Sequence, residues 1–202
     1  MAAPGEPEVF VLAHRALNKV VAQIRDDQWD MEVPPDFARR QTERTPTLRE
    51  VVSYLAYDDS WVADMLAGRT MAEVGSESFR GDLLGAEPKA AFAAVVDRAC
   101  AAAEQLDDLD RTVHCSFGDF PAREYLVQVS SFRAFRAVDI ARMIGVDDTL
   151  SEPLVEGVWA EISPVVEQLR AIGVFPAAIS VPEAAPLQER LLGLVGRRPR
   201  AS

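Results

Sequence analysis

Apolar residues in this chain recur three and four positions apart in one stretch after another, and most stretches are closed by glycine or proline. Over residues 8–24, Phe10, Leu12, Ala13, Ala16, Leu17, Val20, Val21 and Ile24 keep that spacing, which winds them onto one face of an α-helix. A helix gains most of its stability from the partner that covers such a face. Several of them in one chain therefore dictate the packing of helix on helix.

The remaining elements follow from start and stop signals. Residues 26–44 hold Pro34 and Pro35, many charges and two aromatic anchors, Trp29 and Phe37, and read as a long ordered connection. A second helix opens at the capping box Thr47-Leu48-Arg49-Glu50 after Pro46 and is expected to run to Ala67 and stop at Gly68. Residues 75–85 read as loop. A third helix is expected from Glu87-Pro88 through an alanine-rich run to Leu106, whose small residues allow close helix contact. Residues 111–117 alternate loosely before Gly118-Asp119, which predicts an extended segment or small hairpin. Pro121 opens a fourth helix that ends at Ile144 with Gly145 in the C-cap position. Ser151 caps a fifth, expected to reach Gly173 with a kink at Pro164. A proline-rich stretch over 174–186 leads to a short last helix over 187–195. The fold class is thus all-α: a four-helix bundle over about residues 8–145 and a C-terminal helical extension over 146–202, in one domain, with additional short helices and at most a small β-hairpin.

Charge and composition narrow the function. With 202 residues, of which 49% are hydrophobic, the chain can bury about 70% of its unfolded surface, so folding calls for no metal or disulfide. The formal net charge of -11, from 32 acids against 21 Lys plus Arg, repels a phosphate backbone and excludes nucleic acid as a partner. The one basic stretch, Arg197, Arg198 and Arg200, reads as a solvated end. Cys100 and Cys115 form no spacing motif, the N-terminus has no secretion signal, and no window nears the roughly 18 uncharged apolar residues of a membrane span. The expectation is a cytoplasmic protein with reduced thiols.

No phosphate loop, CxxC, HExxH or nucleophile elbow is present. With two histidines, a three-histidine metal site is arithmetically impossible. His14 lies among apolar neighbours in the first helix, where a hydrogen-bonded core histidine is expected. His114 beside Cys115 offers thiolate chemistry on paper, but adjacent residues of an extended segment point to opposite faces. More informative are two helical faces: Tyr54, Asp58 and Trp61 on the second helix, and Phe132, Arg136 and Asp139, with Arg133 beside Arg136, on the fourth. Such stripes are either solvated edges or the lining of an inter-helix cavity.

Trp29 in Asp-Asp-Gln-Trp, the run from Thr45 to Tyr54, Trp61 to Gly68, Arg111-Thr-Val with Phe117-Gly-Asp, Val138-Asp-Ile-Ala-Arg142 with Gly145, and Val181-Pro with Gly196-Arg-Arg-Pro199 together resemble the DinB-like, mycothiol-dependent maleylpyruvate isomerase superfamily of actinobacteria. The resemblance spans nearly the whole chain in order. It implies a four-helix bundle with a divalent metal between helices, coupled in characterised members to a low-molecular-weight thiol, and a homodimer by analogy. It also implies metal ligands where this chain has Tyr54, Phe132 and Arg136. A phenol is a poor ligand at neutral pH, a phenyl ring is none, and a guanidinium has no lone pair to give. No metal and no cofactor are therefore expected.

Three outcomes remain open from sequence. Tyr54 and Phe132 fill the vacated volume while Arg136 pairs with Asp58, Asp59 or Asp139. Alternatively, Arg136 and Arg133 hold a small anionic ligand, with Tyr54 donating to it and Trp61 as an apolar wall, in a non-catalytic protein that binds such a ligand or a protein partner. A metal-independent enzyme of thiol or secondary metabolism, with Asp58 or Asp59 as base, is the third. A metal-dependent isomerase or thiol transferase true to the family is disfavoured by the lost ligands.

Overall fold

Helix α1 (Glu6–Val21) runs through the middle of the architecture, packed most extensively against α6 (Ala122–Ile144) and also against α5 (Pro88–Glu104), which α2 (Leu48–Ser60) covers in turn. These four form the bundle. The computed structural model describes residues 4–34, 44–116 and 118–199. Residues 1–3, Pro35, Phe37, Phe117 and Arg200, to which the sequence reading had assigned places, lie outside the described residues. Around the bundle sit the short helices α3 (Val62–Leu66), α4 (Met71–Val74), α7 (Glu152–Ile162), α8 (Val166–Ala171) and α9 (Leu187–Leu194). Strands β1 (Thr112–Cys115) and β2 (Gly118–Pro121) pair antiparallel as the expected small hairpin, with Val113 opposite Phe120 and His114 opposite Asp119. Among the described residues no helix is long and apolar enough to cross a membrane.

The local signals act as their chemistry requires. Thr47 accepts from the Glu50 amide while Glu50 reaches back to the Thr47 amide, closing the start of α2. Gly145 adopts the left-handed conformation, φ 75°, that ends α6. The connection before α2 is held by Trp29, which is buried, and by backbone bonds from Val33 to Pro46 and from Leu48 to Met31.

Several expectations need correction. The second helix does not run unbroken to Ala67 but is interrupted at Trp61. The Ser60 hydroxyl donates to Ala56 O at 2.7 Å and Arg98 donates to Ser60 O at 3.2 Å, so side chains intrude on the hydrogen-bond ladder where the helix is interrupted. A short helix, α4, precedes the expected loop. It starts at a second capping box, Thr70 with Glu73, the same signal that marked α2. The fifth helix divides into α7 and α8 at Pro164, which lacks an amide donor and crowds the preceding turn. Ser151 occupies the N-cap of α7 without a side-chain cap bond. Within the basic tail Arg198 is exposed, but Arg197 is not solvated: it donates from Nε and Nη2 to the two Asp139 oxygens, both at 3.0 Å, and lies over the Phe135 ring.

Apolar residues bury in two clusters. The larger joins α1, α2, α5 and α6 to Leu154, Val158, Ile162, Phe175 and Leu191 of the C-terminal extension, so extension and bundle share one core. The smaller gathers Phe10, Trp61, Met65, Leu66, Ala99, Val113, Tyr125 and Leu126 around α3 and the hairpin.

Candidate functional site

Three polar side chains stand in phase with the buried stripes of three helices. On α1 the stripe reads Phe10, His14, Leu17, Val21; on α2, Val52, Leu55, Ala56, Asp59; on α6, Leu126, Ser130, Arg133, Ala137, Ala141. The bundle brings His14, Asp59 and Arg133 together in its interior. Arg133 donates to Asp59 Oδ1 from Nε at 2.9 Å and from Nη2 at 2.6 Å. His14 Nε2 lies 3.2 Å from the same oxygen, and its Nδ1 lies 2.9 Å from Phe10 O, both within hydrogen-bond distance. The Phe10 ring stacks on the imidazole at 3.8 Å. Both imidazole nitrogens thus face oxygen atoms.

Electrostatics agree with this geometry. Burial alone would raise the Asp59 carboxyl, but Arg133 and His14 outweigh it and bring the group down to about 2. Burial acts against the Arg133 cation too, and Asp59 with Asp58 overcomes it, so the guanidinium is held more firmly charged than usual. Asp58 Oδ2 lies 3.7 Å from Arg133 Nη2. The Arg133 cation therefore lies against two carboxylates, Asp59 and Asp58. Burial likewise raises the Tyr125 phenol, two turns before Arg133 on α6, and keeps it protonated.

The six residues singled out from sequence do not form one lining. Tyr54 is 52% exposed and stands outside the buried cluster. Asp58 lies at the cluster's edge, and Arg133 at its centre. Trp61 is buried in the smaller core, edge-on to Phe79 at 4.8 Å, with an indole N–H that has no hydrogen-bond partner among the described residues. Phe132 is partly buried. Arg136, also partly buried, has Asp139 Oδ2 at 4.0 Å, the carboxylate that Arg197 engages bidentately. His14, Asp59 and Tyr125 complete the polar centre without having been grouped as a site. The signal was available in their phase with the apolar stripes.

The metal that the family resemblance implies does not fit these residues. Its positions hold a largely solvent-facing phenol, a phenyl ring and a guanidinium. Of the other donors, His14 is turned to Asp59 and Phe10 O, and Asp59 Oδ1 already accepts from Arg133, whose Nη2 sits 2.6 Å away and would oppose a divalent ion. Among the described residues no group of three or more His, Cys, Asp or Glu is arranged to hold a metal. In the hairpin, His114 Nδ1 bonds to Asp119 Oδ1 at 2.9 Å, and burial pushes the half-buried Cys115 thiol up to about 11, which leaves little thiolate at neutral pH. Cys100, also free, is pushed up to about 11 by burial in the main core.

Comparisons with protein-family models, with curated proteins and with solved structures find no match to this chain.

Proposed function

We propose that the chain is a divergent member of the mycothiol-dependent maleylpyruvate isomerase/DinB-like superfamily in which the metal site has given way to an internal ion cluster, and that it acts without catalysis through a protein partner. The supporting observation is the neutralisation of the polar centre from within. Arg133, one of the two arginines able to recognise an anion, spends its fork on buried Asp59, and its charge is matched by Asp59 and Asp58. A carboxylate or phosphate entering there would have to displace a charge-assisted pair at 2.6 Å. The exposed ring of Tyr54 on α2 is the kind of amphipathic group enriched at protein interfaces.

A small anionic ligand at Arg136 is the second reading, since Asp139 is shared between Arg136 and Arg197. Thermal-shift titration with inorganic phosphate and with succinate separates the two. The partner reading expects no saturable rise in Tm. A saturable rise that disappears in Arg136→Ala would replace it with the anion reading.

A further inference from the structure

Helix α7 seats on α1 through an unusually close contact. A Cβ on Gly157 would lie 2.4 Å from Val9 Cγ2 and 3.1 Å from Pro4, so the two helices meet there backbone to side chain. One turn further along the same face of α7 stands Glu161. Both of its carboxyl oxygens are buried, and neither has a hydrogen-bond partner among the described residues. Among the described residues the one charged group that acts on it is Glu6, in the first turn of α1 and of like sign. Helices α6 and α9 also pack against α7, and neither brings a charged side chain to bear on Glu161.

We propose that Glu161 is a proton-controlled latch: its protonated carboxyl lets α7 stay seated on α1, and loss of that proton makes α7, with α8 and α9 behind it, lift from the bundle more often. An ionised carboxylate without a donor is poorly tolerated away from water, whereas a neutral carboxylic acid is tolerated far better. Burial first, and Glu6 second, push the group up to about 8 while α7 is seated, against an ordinary 4.5 once it is hydrated. The raised group favours the seated state fully below about 4.5 and loses that preference as pH rises toward 8. The opening equilibrium of α7 therefore grows about tenfold per pH unit in that window and levels off above it.

Hydrogen exchange of the full chain, followed from pH 5 to 9 and corrected for intrinsic exchange, reads this directly. Amides of α7 should lose protection about tenfold per unit up to pH 8, while those of α5 hold theirs. Glu161→Gln should abolish the dependence, and Glu6→Gln should move its upper end to lower pH. Equal pH dependence in the wild-type chain and Glu161→Gln would overturn the proposal, as would an equal loss of protection across α5.

Discussion

Arg133 and Asp59, separated by 74 positions in the chain, meet inside the bundle through two hydrogen bonds to a single carboxylate oxygen. The pair is almost wholly removed from water, and His14 completes it from a third helix. Burying such groups gains little over an apolar core of equal volume, but halving the pair leaves an uncompensated charge. The arrangement therefore fixes how α1, α2 and α6 sit together more than it adds to stability.

Arg133→Met should cost about 3–5 kcal/mol in urea unfolding, because Asp59 is left charged and buried. Combining it with Asp59→Leu should restore most of that loss. A single-variant cost below about 1 kcal/mol, the range of an exposed ion pair, would contradict the buried assignment.

Acid stability follows from Asp59. Its folded value, about 2, lies below the ordinary 3.8, so its contribution is fully present above 3.8 and lost as pH falls through that value toward 2. The difference corresponds to about 2 kcal/mol. Chemical denaturation from pH 5 down to pH 2 should show a shallower acid limb in Asp59→Asn than in the wild-type chain; identical limbs would exclude Asp59 as the source.

The C-terminal extension depends on another close approach. A Cβ on Gly193 of α9 would fall 2.3 Å from Val181 Cγ2 and 2.8 Å from Ile179 O, and Ile179 N donates to Gly193 O at 2.9 Å. The Ile179 carbonyl is backbone and cannot swing aside as a flexible side chain could. Gly193→Ala should destabilise by about 1–3 kcal/mol, measured by thermal unfolding, as overpacking does elsewhere.

Much of this architecture was legible in the sequence. Periodicity placed the four long helices, and Gly145, Pro164 and Thr47 marked the correct boundaries or breaks, because those signals act within a few residues. The break at Trp61 was not legible, since it involves an Arg98 hydrogen bond from a different helix. The polar centre was half legible. Tyr54, Asp58 and Trp61 share a face by spacing, but the apolar stripe of α2 runs through Asp59 and turns that residue inward. Arg133 belongs to the inward stripe of α6 in the same way, and Arg136 lies beside it. That Asp59, His14 and Arg133 converge on one carboxylate oxygen depends on three helices meeting, which no single helical pattern contains. The docking of Arg197, which reads from sequence as part of a solvated end, was not legible because its partner, Asp139, is 58 positions away.

The most direct test of the account is elemental analysis of untagged protein after incubation with zinc, nickel and manganese and desalting. An internally neutralised centre predicts no stoichiometric metal. One equivalent per chain, lost in His14→Ala or Asp59→Asn, would show that these residues serve an ion after all and would contradict the account.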